Sequence, residues 1–275
     1  MSRFALEVGL HWAGVAAYAA SAVIFGNAVV FGHPERVRWA RLAAVAGLAP
    51  HGAAILIRWA AVGHGPYMLR YEVLSSNAWV AVAVLAVFLW RRPAWGAVGL
   101  VVMPVAILAI AVGLFSSPEA RDLPPTLRSI WLVFHVAFAK LSAAAFLLSV
   151  GTSVLQLVDW RPRPGGWTER LPPRDALDAY TVRFVGFGFV FWTVTVAAGA
   201  IWANQSWGRY WGWDAIETWS LVTWLAYGTF LHARLFFRMK PPATAWSALA
   251  AFAVFVLAAL VLPFAMPSLH SAYFQ

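Results

Sequence analysis

Eight predominantly apolar runs, each about long enough for a helix to cross a hydrocarbon core, restrict the fold of this chain more than any other feature. They span approximately 4–31, 39–62, 73–90, 95–115, 130–158, 180–203, 215–237 and 244–266. A core of roughly 30 Å takes about 20 residues at a rise of 1.5 Å each. In lipid every backbone N–H and C=O must find its partner within the protein, which leaves helices or closed barrels, and runs of this length specify helices. The chain is therefore expected to be all-α, a polytopic integral membrane bundle of about eight transmembrane helices forming one domain over residues 1–275. Composition agrees, with 11% charged and 62% apolar residues against roughly 25% charged in soluble domains.

The polar breaks carry the topology. Alternate loops hold Arg36, Arg38, Arg41, Arg91, Arg92, Arg161, Arg163, Arg170, Arg174, Arg183, Arg234, Arg238 and Lys240, thirteen cations, whereas the opposite side holds Arg3, Arg70, Arg121, Arg128 and Arg209. The positive-inside bias puts the richer loops in the cytoplasm and both termini outside, in a cell inner membrane whose active face is extracytoplasmic. The net charge of +9 is scattered over loops, not gathered into one basic patch with interleaved aromatics, which excludes a nucleic-acid surface. The first run continues to Phe31 and lacks a strongly basic flank, so it is expected to stay as a helix and not to be cleaved as a signal peptide. A linker is expected over 159–178, where proline, glycine and charge cluster.

No cysteine is present, so disulfides, thiolate metal sites, a thiol nucleophile and thioether attachment of a haem to this chain are excluded. Histidine must carry any metal chemistry. Neither a nucleotide-phosphate loop nor a repeat of 20 to 50 residues is evident, which removes an ATP-driven pump.

The strongest local signal is the outer loop over 202–219, WANQSWGRYWGWDAIETW, with Trp202, Trp207, Trp211, Trp213, Trp219 and Tyr210 crowded together. An interfacial aromatic belt accounts for some of these. It does not account for the interleaved Gly208 and Gly212, where glycine lets the chain turn and a flat ligand approach. Indole rings so arranged fit the face of a porphyrin. Asp214 and Glu217 are spaced as N-cap and N3 of a capping box for the seventh helix, and that helix start aims partial positive charge at any carboxylate nearby.

WGRYWGWD, then ETW, then TWLAYGTFLHARL, resembles the WWD domain of the CcsA (ResC) proteins of system II cytochrome c biogenesis. APHGAAILIRW, GHGPYMLRYE, SIWLVFHVAFAKLS and LHSAY extend the resemblance more weakly, as do chain size and helix number. CcmC and CcmF share the tryptophan motif, but the continuation into FLHAR favours CcsA. Ala215 and Ile216 depart from the family's proline and lysine. The resemblance implies non-covalent haem b held at the outer face by His135 and His270, with Trp207, Gly208, Arg209, Trp211, Gly212, Trp213 and Asp214 around it. It also implies that His232 ligates a second, inner haem whose other ligand comes from a CcsB/ResB-type membrane partner. Apocytochrome c, presenting CXXCH, is the implied client, and the chain is implied to be a subunit of a holocytochrome c synthase, with its being an enzyme by itself left open.

From the residues alone, an intramembrane histidine is a functional candidate set against a packing role. His135, one turn inside the outer end of the fifth helix, and His270 can flank the tryptophan loop as paired axial ligands. His51, in mid-membrane, is a packing residue and reserve ligand. His11 and His33 are structural, His64 is solvated, and Lys140 snorkels or pairs with an acid. Alternatives are a b-type membrane cytochrome moving electrons between two haems, and a solute transporter with the tryptophans as a gate.

Overall fold

A computed structural model describes residues 3–116, 123–158, 165–266 and 268. The described residues are helical apart from their connections. The long helices are α1 (Arg3–Val30), α2 (Val37–Val62), α3 (Arg70–Arg91), α4 (Gly99–Leu114), α5 (Ile130–Val158), α6 (Arg174–Trp207), α7 (Ala215–Leu235) and α8 (Pro241–Val256). Seven helical segments are long and apolar enough to cross a membrane, so the chain is a multi-pass membrane protein. Helix α7 is not among the seven. Glu217, Thr218, Thr223, Thr229, His232 and Arg234 dilute its apolar character, and it buries Glu217, Thr223, Tyr227 and Phe230.

Two observed boundaries correct the expected ones. Helix α6 begins at Arg174, so the linker expected over 159–178 loses its last five residues to a helical turn. Asp178 lies in that turn and takes the Arg234 guanidinium at 2.5 Å, tying α6 to α7 at the arginine-rich end. Before α4 the chain runs as a 3₁₀ segment, Pro93–Val98, because Pro93 follows directly on the end of α3.

Helix α8 gives way to a π-helical turn at Leu257–Val261 and then a short turn at Leu262–Ala265. Pro263 explains the widening: it has no N–H to give and its ring crowds the carbonyl four residues back.

Association of the helices rests on close contact, since lipid offers little hydrophobic drive between them. Tyr18 of α1 lies on Gly47 of α2, where an added Cβ would come within 2.6 Å of the ring. Phe146 of α5 stacks on Tyr227 of α7, centroids 3.6 Å apart and planes 4° from parallel. One core joins α1 to α5, and a second joins α5 to α8. A third, smaller cluster of Met68, Leu69, Tyr71, Leu127, Leu132 and Trp202 sits where the loops before α3, α5 and α7 gather at the tryptophan end.

Candidate functional site

At that end a cleft of about 200 Å³ opens between α3, α5, α6, the start of α7 and the π-turn after α8. That volume is below the roughly 300–1,000 Å³ of small-molecule sites, so only part of a larger planar ligand fits within it. The lining is mostly small and apolar, from Ala139, Ala143, Val196, Ala200 and Ala259. Tyr67, Tyr210 and Trp211 also line it, and the polar groups are His135, Lys140, Asn77, Thr195, Ser220 and Glu217. The π-turn contributes Ala258, Ala259 and Leu260.

His135 is held by α6. Its Nδ1 donates to the Thr195 carbonyl at 2.9 Å, which fixes the tautomer so that Nε2 carries the lone pair. The ring lies against the α6 backbone at Gly199, where a Cβ would meet Nδ1 at 2.7 Å. Gly199 was not singled out by sequence reasoning; the signal is a glycine facing the histidine of the neighbouring helix.

The tryptophan loop is organised by a carboxylate. Asp214 caps α7, its Oδ1 accepting from the Ile216 N–H at 2.7 Å and the Glu217 N–H at 3.2 Å. Glu217, 7% exposed, completes the capping box and does more: its Oε2 accepts from the Gly212 N–H at 2.7 Å and the Asp214 N–H at 3.2 Å, while Oε1 pairs with Arg209 at 3.3 Å. Gly208 closes α6 in the left-handed region, φ +73°, its N–H returning to the Asn204 carbonyl. At Gly212 an added Cβ would coincide with the Arg209 guanidinium, so this glycine makes room for arginine. Trp213 also has positive φ, +58°, a strained backbone for a bulky residue, and is 70% exposed.

The indoles therefore divide. Trp211 lines the cleft with its buried Nε1–H lacking an acceptor among the described residues, and meets Trp213 edge to face at 5.9 Å. Trp207 instead packs on Trp202 at 4.8 Å and lies under Arg209 at 5.8 Å. Trp202 is buried, its Nε1 donating to the Thr126 carbonyl.

The loop before α3 forms the opposite wall on a similar plan. Gly63 ends α2 at φ +76°. Glu72, at N3 of α3, takes the Met68 and Leu69 N–H groups at 3.2 and 3.4 Å on one oxygen and Arg58 at 3.1 Å on the other. Tyr67 faces the cleft, and burial pushes its phenol pKa up. His64 is buried, not solvated as expected: its Nδ1 donates to the Gly65 carbonyl at 2.8 Å and lies 3.9 Å from Glu72. Lys140 does not snorkel, and among the described residues it makes no direct ion pair, Glu72 being an acidic neighbour at longer range. It is 9% exposed, and Nζ donates to Ser76 Oγ at 2.7 Å and the Pro66 carbonyl at 3.2 Å.

The remaining described histidines lie apart from the cleft. His51 is sealed among α1, α2 and α3, with Nδ1 against Tyr18 Oη at 3.2 Å and Nε2 against Ser75 Oγ at 2.9 Å. His11 shares that Ser75 hydroxyl at 3.0 Å, and Tyr71 donates to Glu7 at 2.7 Å beside it. His33 pairs with Glu35 at 3.4 Å. His232 is exposed near the far end of α7, stacked on Phe236 at 4.6 Å. His270 lies outside the described residues.

The donor set fits one edge of a haem: a tautomerically fixed imidazole, an indole N–H without an acceptor among the described residues, a buried lysine amine and small apolar walls meet in one cleft. Comparison with known proteins gives the family. The family model for the cytochrome C assembly protein matches residues 58–270. Cytochrome c biogenesis protein CcsA of Chlamydomonas reinhardtii is 34% identical over 187 residues, covering 66% of this chain but 53% of its own length, so this chain spans about half of that relative. The CcsA protein of Guillardia theta is 30% identical over 237 residues, 78% of each chain. The structure of the cytochrome c haem lyase CcmF superposes on all of this chain and 49% of its own with TM-score 0.73; at 16% identity this speaks to the fold. With most of its length matched by the family model and relatives aligned across two thirds or more of it, this chain belongs to the cytochrome c assembly proteins, in the CcsA family.

Proposed function

We propose that this protein is the haem-binding membrane subunit of a system II cytochrome c synthase, which presents haem at the outer face of the cytoplasmic membrane for attachment to apocytochrome c. The observation that carries the reading is the convergence of His135, fixed by the Thr195 carbonyl, with Trp211 in one cleft at the arginine-poor end of the bundle. His135 and His270 are the proposed axial pair. Haem is the cargo, supplying two vinyl groups, across each of which one thiol of the client's CXXCH adds to give a thioether. The contribution of this chain is positioning: it orients the ring, keeps water from its inner edge and leaves the outer edge reachable.

His232 supports a second, inner site shared with a CcsB/ResB-type partner, because its ring is exposed beside Phe236 and Phe237 where a further helix can dock. His51 is not proposed as its mate, since both of its nitrogens are hydrogen-bonded.

The test is the visible spectrum of the purified protein, oxidised and reduced. Sharp reduced bands of low-spin b-type haem are expected, weakened in His135→Ala with His270→Ala at the outer site and in His232→Ala at the inner one. Absence of haem from protein purified with its partner under haem-replete conditions refutes the reading.

A further inference from the structure

A lysine is costly to bury in a membrane unless its charge is answered. Lys140 is 9% exposed and, among the described residues, forms no ion pair within 4 Å, Glu72 acting on it only from a longer distance. Two of its three N–H bonds go to neutral acceptors, the Ser76 hydroxyl and the Pro66 carbonyl. Ser76 is itself committed, donating to the Glu72 carbonyl at 2.6 Å, so its lone pair is turned toward the ammonium. The amine is thus held in place with one proton unspent, and it is the one lysine or arginine lining the cleft among the described residues.

Its depth gives this meaning. Lys140 stands five residues beyond His135 on α5, about 7.5 Å further into the bundle at 1.5 Å per residue. The other charged group of the lining, Glu217, is already engaged by Arg209 and two backbone amides near the mouth. A haem whose vinyl edge must be reached by thiols from outside carries its propionates on the opposite edge, which then points inward.

We propose that the Lys140 ammonium seats the propionate carboxylates of a haem in this cleft, setting the ring's orientation with the propionates inward and the vinyl edge toward the mouth. This rests on the reading that the cleft takes haem. A charge-assisted hydrogen bond of this kind favours a carboxylate over its ester by about 10- to 100-fold.

The experiment is a titration of the purified full chain with haem and with haem dimethyl ester, followed in the visible spectrum. The native protein is expected to bind haem about 10- to 100-fold more tightly than the diester, Lys140→Met to bind the two alike, and Lys140→Arg to keep the preference. Equal binding of both by the native protein overturns the proposal without any variant, so a misfolded Lys140→Met does not protect it. Retention of the preference in a folded Lys140→Met, or its loss in Arg209→Gln instead, also overturns it. If neither porphyrin gives a low-spin spectrum with the native protein, the haem reading itself fails; if haem binds without preference, only the orientation does.

Discussion

Replacing Glu217 with glutamine isolates what the carboxylate does for the tryptophan loop, because shape is kept and charge is lost. Two backbone amides, Gly212 at 2.7 Å and Asp214 at 3.2 Å, donate to one oxygen. Hydrogen bonds to a charged acceptor contribute about 1.5–3 kcal/mol and neutral ones about 0.5–1.5, so neutralisation costs about 1 kcal/mol per bond. The Arg209 pair at 3.3 Å, with that arginine's side chain 32% exposed, adds less than about 1 kcal/mol. The total of about 2–3 kcal/mol corresponds to a roughly 30- to 150-fold rise in the population of the open loop. Amide hydrogen exchange read by mass spectrometry over 208–217 measures this directly, since the two amides depend on Glu217. The expected result is exchange faster by that factor in Glu217→Gln, confined to the loop, with α5 and α6 unchanged. Unaltered exchange at Gly212 and Asp214 in the folded variant refutes the account.

Gly199→Ala is expected to push the His135 ring off the Thr195 carbonyl, with an overpacking cost of about 1–3 kcal/mol; a lower melting temperature together with weakened haem binding checks it, and an unchanged haem spectrum counts against it. Glu72→Gln removes the carboxylate that pairs with the buried Arg58, a loss of about 3–5 kcal/mol, visible as faster proteolysis of the loop over 63–69 and a lower melting temperature. His51→Ala removes two buried hydrogen bonds and lowers stability by about 2–4 kcal/mol, with the reduced haem spectrum unchanged; a lost haem band would make it a ligand.

The helices were legible because twenty-residue apolar runs admit few alternatives in lipid, and the fifth came out residue for residue, Ile130–Val158. Helix ends were less so: the first five residues of α6, Arg174 to Asp178, carry three charges and read as linker, yet they form helix and place Asp178 against Arg234. In the site, the Asp214 and Glu217 spacing gave the capping box, since that motif is local in sequence. Glu72, Lys140 and Gly199 were missed as site residues because each acts through a partner far along the chain: Glu72 through Arg58, Lys140 through Ser76, Gly199 through His135. A tryptophan cluster suggested one flat platform, but the chain turns between its members, so Trp211 faces the cleft while Trp207 packs on Trp202.

The two loops that wall the cleft differ in one mechanical respect. Arg58, which clamps Glu72, belongs to the helix before its loop, so α2, the loop and α3 are pinned together as a fixed jamb. Arg209, which clamps Glu217, belongs to the loop itself, so the segment after Gly208 is latched to α7 and hinged at a left-handed glycine where α6 ends. A segment held this way is coupled to α7 more firmly than to α6. Cross-linking 63–69 to α2 should therefore leave haem exchange untouched, while cross-linking the Arg209 loop to the end of α6 should stop it.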